Sequence, residues 1–417
     1  MTLQSTFASA DQQVITIIVS VAFVVFFAHL LGSILQRLGL PRVLGEIIAG
    51  IIIGTLLVGS PYQLDVAVKE SLKLIGHLGI MLLMFKLGAT LFDEKKSSIV
   101  FNKAIVTSLC IIIISFLFGF AFGELSSSSL APTINSLHYS LFMGLAGSIT
   151  AVPVLWRIIE DLDIGDTRAG KMAMSIASIS DLVAWVLLSL ISSFLLSDFS
   201  FVKTLVKIST IVAYILFILF ILRKYVIHFV DKKIQMHGVL SNLVISITIL
   251  ITFVSGWVAN FIGISDIFGC FLTGVIFGGK KIFISEWDMK ISGFVNTFLV
   301  PVFFVTSGLN VDIFTLDISL IWWCAGAILI LSFGKLFATY FSFILLHRNT
   351  NDALIVGILL NTRGLVELII INYGLSSGFL SQKAYTVMLC MTIVTTMLTG
   401  PLIRLSDFVT KKKLVLS

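Results

Sequence analysis

The charged residues of this 417-residue chain are largely confined to the gaps between long apolar runs, and that spacing restricts its possible folds more than any other feature. Only 12% of the residues are charged, against 58% hydrophobic. The apolar runs are mostly about twenty residues long, the length an α-helix needs to cross ~30 Å of hydrocarbon. A backbone inside a bilayer must satisfy its own hydrogen bonds, which leaves helices or a closed barrel, and barrel strands are only about ten residues long. The chain is therefore expected to be an all-α polytopic membrane protein of about thirteen spans: 14–36, 43–59, 72–92, 99–122, 139–159, 169–196, 201–222, 240–261, 266–279, 291–309, 318–346, 353–373 and 384–405.

The connections between these runs test that layout, because loops on the cytoplasmic side are enriched in Lys and Arg. Alternating the loops places twenty of the twenty-eight basic residues on one side, from Arg37 and Arg42 through Arg223 and Lys224 to Lys411–Lys413. The other side receives only Lys69, Lys73, Lys203, Lys207 and Lys383. This predicts an extracellular N-terminus and a cytoplasmic C-terminus, and it accounts for the net charge of +6 without a nucleic-acid partner. The N-terminus has no basic region and no small-residue cleavage site before its first long run, so that run is expected to be a retained span. Cys110, Cys270, Cys324 and Cys390 lie singly in apolar segments and read as packing residues.

Gly45, Gly50 and Gly54 in the second run recur as Gly269, Gly274 and Gly278 in the ninth. The offset of seven spans is odd, so the second copy must cross the membrane in the opposite direction, the mark of an inverted repeat. Glycines that allow close helix packing would look the same taken alone. Approximate repeats over 14–197 and 240–405 with a linker span at 201–222 follow. The fifth and twelfth runs, also seven apart, are both interrupted at mid-depth, by Gly147-Ser148-Ile149-Thr150-Ala151-Val152-Pro153 and by Asn361-Thr362-Arg363-Gly364. Glycine loosens a helix and proline removes a donor, so two broken helices with exposed half-helix ends are expected there. Such backbone survives at that depth only when enclosed or lining a cavity.

Asp181 stands in the middle of a span otherwise fit for lipid. A carboxylate at that depth costs ~2.5 to 3.5 kcal/mol on insertion scales, so it faces partners, water or a transported ion. It can hold a monovalent cation when ionised and a proton when neutral, but not both fully, and this competition can couple their fluxes. A carboxyl that exchanges protons near neutral pH must titrate far above the ~3.9 of a free aspartate, which desolvation can achieve. Ser148, Thr150, Ser180 and the unwound carbonyls of the fifth span could complete an oxygen shell for a hard cation.

Ser175 and Ser178 continue one helix face from Asp181 toward the cytoplasmic end and read either as an entry path or as serines bonded to the preceding turn. Lys335 lies well inside the eleventh span. Neighbouring Gly334 permits close helix contact, so Lys335 is expected to act internally rather than snorkel. Lys86 is expected to snorkel toward the Asp93–Lys96 cluster. Arg363 and Glu367 are four apart and can pair on the helix after the break. Glu46 sits just inside the second span, either as a helix cap or as a lure for cations at a funnel mouth. The six histidines are scattered, and no metal cluster, serine-nucleophile motif or phosphate loop stands in a suitable context, so neither an enzyme nor a cofactor is expected.

At these residues the chain resembles the membrane domain of monovalent cation:proton antiporters, especially the branch of Kef-type efflux systems and plant cation/H+ exchangers. The resemblance is carried by Leu38–Gly54 (LGLPRVLGEIIAGIIIG), Ser148–Ile158 (SITAVPVLWRI), SISDLVAW, FGCFLTGVIFGG, Pro301–Asp312 (PVFFVTSGLNVD) and Leu359–Leu368 (LLNTRGLVEL). It implies two inverted repeats, with a six-helix core domain moving against a dimerisation domain, in a homodimer of the cell membrane that exchanges Na+ or K+ for H+. It also implies that Asp181 is the ion-binding aspartate, Thr150 the threonine of the unwound helix and Lys335 the basic residue opposite the aspartate. Arg363 and Glu367 match the charged motif of the second broken helix. Relatives that move net charge tend to carry two adjacent acids where this chain has Ser180 and Asp181, which points to electroneutral exchange. Lys86-Leu87-Gly88-Ala89 and Ser265-Asp266 also depart from the pattern, in segments that bear on pH sensing or selectivity. The chain ends at Ser417, soon after the last span, so no cytosolic regulatory domain is expected, and a separate regulatory subunit stays open. Alternatives on the same scaffold are an exporter of an organic cation or metabolite, and a membrane subunit that senses an ion without transporting it.

Overall fold

A computed structural model of the protein describes residues 2–38, 40–57, 66–91, 98–195, 201–237, 240–309, 320–346 and 351–415. The ordered elements among them are all helical. They are α1 (Thr2–Arg37), α2 (Arg42–Leu57), α3 (Val66–Leu91), α4 (Ser98–Leu130), α5 (Ser136–Ser148), α6 (Val152–Asp161), α7 (Arg168–Leu195), α8 (Phe201–Leu216) and α9 (Arg223–His237). There follow α10 (Asn242–Ile262), α11 (Asp266–Ile276), α12 (Lys281–Trp287), α13 (Val300–Gly308), α14 (Ile321–Leu346), α15 (Asn351–Leu360), α16 (Leu365–Ser376) and α17 (Gln382–Val415). Three π-helical turns, Phe217–Leu222, Asp288–Ser292 and Val295–Leu299, interrupt the α-helical repeat.

Nine of the described helices are long and apolar enough to cross a membrane, and the bent pair Lys281–Ser292 with Val295–Gly308, at 45°, makes a tenth. The other three expected spans are shorter or broken. They are α2 with 16 residues, α11 with 11, and α15 with α16, which contribute 10 and 12 on either side of an interruption. The protein is thus a multi-pass membrane protein, and thirteen holds as a count of spans only when these are included. Asp312 and the Asp93–Lys96 cluster fall outside the described residues.

The chain forms two compact units, and each draws helices from both halves of the sequence. The first contains α1 to α3, most of α10, and α11 to α13. Its core is the apolar face of α1, where Val21, Val24 and Ala28 recur at helical spacing, closed by Ala49, Val68, Leu72, Val302 and Val305. Its helices meet through glycines. A Cβ on Gly50 would lie 2.0 Å from the carbonyl oxygen of Val305, and one on Gly308 would lie 2.3 Å from that of Ile47, so α2 and α13 touch backbone to backbone. A Cβ on Gly274 would lie 2.0 Å from the Phe85 carbonyl oxygen, and one on Gly88 would lie 2.1 Å from that of Phe271, which joins α11 to α3 in the same way. Each pair keeps the same three-residue offsets, with Ile47–Gly50 and Val305–Gly308 answering Phe271–Gly274 and Phe85–Gly88. The glycine echo in the sequence is therefore a packing device, used at matching offsets in both helix pairs.

Ion pairs close this unit. The Lys86 ammonium lies 3.0 Å from Asp288, a part-exposed carboxylate at the start of the second π-helical turn. Glu46 is fully buried, with Arg42 Nε 3.8 Å from its Oε1. The Arg42 guanidinium also bonds His29 Nδ1, and His29 Nε2 meets the Thr297 carbonyl at 2.8 Å. His77 Nε2 lies 2.5 Å from Asp266 Oδ2.

The second unit contains α4 to α7, nearly all of α8, and α14 to α17. Gly119 and Gly123 of α4 admit the backbone of α5, and Gly334 of α14 packs on Phe118 of α4, where a Cβ would lie 2.7 Å from the Phe118 side chain. The close contact expected beside Lys335 is present, and it turns that lysine into the unit's interior. Both expected interruptions fall in this unit. Ile149 is extended between α5 and α6, and Pro153, which has no N–H to contribute, sits in the first turn of α6. Gly364 is likewise extended at the start of α16.

Candidate ion-binding site

The two breaks cross. Ala151 N–H donates to the Thr362 carbonyl at 3.3 Å, and the Thr150 hydroxyl donates to the Leu360 carbonyl at 3.1 Å. Arg363 reaches across from the second break to the end of α5, donating from Nη1 to Ala146 O and from Nη2 to Gly147 O, both at 2.9 Å. Lys335 donates from α14 to the Ser148 carbonyl at 2.5 Å. The last four carbonyls of a helix lack intrahelical partners and carry a partial negative charge, so two cations placed there are well matched. Both are buried, Lys335 at 0% and Arg363 at 1% exposure.

Arg363 is balanced within its own segment. Its Nη1 lies 3.1 Å from Glu367 Oε1, and Glu367 is fully buried in the first turn of α16. The structural pairing expected at i, i+4 is present, and its geometry holds the guanidinium against α5. The backbone at Arg363 is fixed as well, since its N–H donates to Thr396 Oγ1 at 3.2 Å and its carbonyl accepts from the same hydroxyl at 2.7 Å. Thr396 was not singled out from the sequence. The signal is there in retrospect, as Thr392, Thr395, Thr396 and Thr399 are all buried and recur along one face of α17.

Asp181 lies on α7, which packs against α5, α6 and α15. Its carboxyl is 5% exposed, and Oδ1 is buried without a hydrogen-bond partner among the described residues. The hydroxyl of Ser180, 2% exposed, is also unpartnered there. Lys335 reaches the same region from α14, through its bond to the Ser148 carbonyl at the end of α5. Buried polar atoms are nearly always satisfied, so each of these two oxygens, on successive residues of α7, calls for a partner.

The other sequence candidates divide clearly. The Ser148 hydroxyl donates to Leu145 O within its own helix, while its carbonyl serves Lys335. Ser175 and Ser178 donate to the carbonyls of Lys171 and Met174, four residues back, which is the structural reading of both. Glu46 belongs to the first compact unit and is paired with Arg42. The second break also holds a polar residue that its sequence context does not distinguish. Asn361 is 7% exposed, its Nδ2 donates to Ser332 Oγ at 3.0 Å, and its Oδ1 is buried and unpartnered among the described residues.

Crossed, broken helices with a buried carboxylate beside them, set in a multi-pass helical protein, are the architecture of secondary transporters. The chain belongs to the sodium/hydrogen exchanger transmembrane family, whose model matches residues 19–405. It is 32% identical over 401 residues to the Na(+)/H(+) antiporter NhaS4 of Synechocystis, covering 93% of this chain and 96% of that one. It is 30% identical over 393 residues to the Cation/H(+) antiporter 17 of Arabidopsis thaliana, covering 93% of this chain and 48% of the relative, so it spans about half the length of the plant protein. The solved structure of the sodium proton antiporter MjNhaP1 from Methanocaldococcus jannaschii superposes with a TM-score of 0.66 at 16% identity, over 95% of this chain and 97% of that one. That likeness establishes a shared fold.

Proposed function

We propose that the protein is a secondary active antiporter that exchanges a monovalent cation, Na+ or K+, for H+ by competition at Asp181. The observation that carries this reading is a deeply buried carboxylate with an unsatisfied oxygen, packed beside two crossed half-helices. A proton satisfies that oxygen by neutralising it, and a dehydrated cation satisfies it by charge, so one ligand must leave before the other enters. Ser180 supplies a second oxygen. Thr150, whose hydrogen is committed to Leu360 O, has lone pairs left for a third.

The buried charges favour one-for-one exchange. Arg363 and Glu367 neutralise each other at 3.1 Å, leaving Asp181 and Lys335. If Lys335 keeps its proton throughout, replacing H+ by a monovalent cation on Asp181 leaves the core charge unchanged, and the cycle moves no net charge. The choice of cation is open between the two, because relatives are named for both: GerN of Bacillus cereus as a Na(+)/H(+)-K(+) antiporter and a yeast protein as a K(+)/H(+) antiporter. By the distribution of Lys and Arg, the N-terminus faces outward and the C-terminus the cytoplasm, and the family resemblance adds a homodimer in the cell membrane.

The test is a proteoliposome assay with an internal pH dye, an imposed proton gradient, and Na+ or K+ added to wild type and Asp181→Asn. Cation-driven pH recovery that is absent in Asp181→Asn and indifferent to a clamped membrane potential is the expected result. Correctly folded wild type that shows no recovery with either cation across about pH 6 to 9 would overturn the reading.

A further inference from the structure

The two half-helices that end at the crossing are not equivalent. In α5 all four terminal carbonyls are occupied: Leu145 O by the Ser148 hydroxyl, Ala146 O and Gly147 O by Arg363, and Ser148 O by Lys335. Three of the four therefore face protein cations. At the end of α15 the partners are neutral. Leu360 O receives the Thr150 hydroxyl, and Thr362 O just beyond it receives the Ala151 N–H. Both ends carry the negative pole of a helix, but among the described residues the donors to the Leu360 and Thr362 carbonyls are neutral.

Asn361 sits at that less compensated end, between Leu360 and Thr362. Its Nδ2 donates to Ser332, which anchors the amide and leaves the buried Oδ1 without a donor. Ser332 precedes Lys335 by one turn of α14, and α15, which ends just before Asn361, packs against α7, the helix that carries Asp181. The orphan oxygen therefore stands at the end of a half-helix packed on the helix of the carboxylate. Hard cations are coordinated by carboxylate and carbonyl oxygens together, and an amide oxygen keeps its ligand character at every pH of interest.

We infer that Asn361 Oδ1 is a ligand of the transported cation, at the half-helix end whose protein contacts are neutral. This deepens the antiport reading and rests on it. A proton needs only Asp181, whereas a cation that has shed its water needs several oxygens, so Asn361 acts on the cation half of the cycle and not on the proton half.

The experiment compares Asn361→Ala, Asn361→Asp and Ser332→Ala with wild type in the proteoliposome assay, reading the apparent KM for Na+ and K+ and the pH dependence of exchange. Asn361→Ala is expected to raise the cation KM about tenfold, a loss of about 1.4 kcal/mol in binding, with the pH dependence at saturating cation unmoved. Asn361→Asp retains an oxygen and adds charge, so it is expected to lower the KM, and it decides the matter if the alanine variant does not fold. Ser332→Ala, which removes the anchor but not the ligand, is expected to stay within about threefold of wild type. A purely structural Asn361 would give matching losses of thermal stability in Asn361→Ala and Ser332→Ala with KM unchanged, and an unchanged KM in Asn361→Asp would overturn the inference equally. If wild type exchanges and Asp181→Asn does not, such a result removes the Asn361 role alone. If wild type fails to exchange, antiport itself falls.

Discussion

The first compact unit and the second both bring helices from opposite halves of the chain together, but they do so with opposite chemistry. In the first, α2 meets α13 and α3 meets α11 through glycines laid against carbonyl oxygens, and the helices run through the contact unbroken. In the second, α5–α6 and α15–α16 cross where both are broken, and charged side chains fill the gap. The first arrangement rests on backbone contact at its crossings, with ion pairs such as His77–Asp266 joining the same helices farther along. The second is held by charge on one side and left incomplete on the other. Intact crossings join helices backbone to backbone, while a broken crossing leaves backbone groups that side chains must satisfy.

The sharpest way to break this contrast is to remove the charge that holds the second crossing. Arg363→Met would leave Glu367 buried without its partner and strip two carbonyls of α5, with an expected cost of about 3–5 kcal/mol, read as a large fall in the melting temperature of the purified protein. Arg363→Met with Glu367→Gln should recover part of that loss. Next come the glycine contacts. Gly50→Ala and Gly274→Ala each force a methyl into a carbonyl oxygen and should each cost about 1–3 kcal/mol, by similar amounts because each Cβ would lie 2.0 Å from that oxygen. Gly293→Ala is the control, since a Cβ there meets nothing within 4 Å, and it should be neutral or stabilising by about 0.5–1 kcal/mol.

Asp181→Asn sharpens the comparison in the other direction. It should abolish exchange yet leave the melting temperature unchanged or a few degrees higher, because it removes a desolvated charge from the incomplete side of the crossing. The smallest effect is expected at Asp166, outside the spans, whose carboxylate lies 2.9 Å from Lys171. The hydrogen bond and the positive charge of Lys171 hold Asp166 below the usual carboxylate range. A depressed folded-state value means that the pair stabilises above the ordinary carboxylate range and loses that contribution as pH falls through the folded value. The pair is fully exposed at Asp166, so Asp166→Asn should move thermal stability at pH 7 by less than the scatter of replicate melts, in contrast to the buried Arg363–Glu367 pair.

Much of this was legible in the sequence because the bilayer makes polar residues conspicuous. Asp181, Lys335 and the Arg363–Glu367 pair stand out against apolar neighbours, and i, i+4 spacing or an adjacent glycine was enough to foresee how the last two would sit. The glycine echo between Gly50 and Gly274 was visible as well, although only the contacts show that each lies on a carbonyl of the other half. What stayed hidden depends on partners distant in the chain. Nothing near Lys86 in the chain announces Asp288 as its partner. The threonines of α17 and the amide of Asn361 are ordinary residues in membrane helices until the breaks bring unsatisfied backbone beside them. Spans such as α2 and α11 are short in a way that hydropathy alone does not separate from longer ones.

Arg363 has a consequence beyond holding the crossing together. A guanidinium does not lose its proton at any pH a cell meets, and this one is bonded on one side to α5 and on the other to Glu367. The potential it sets at the end of α5 is therefore the same in acid and in alkali. In electrochemical language it serves as a reference electrode built into the membrane, against which any change of charge at a neighbouring titrating group registers in full.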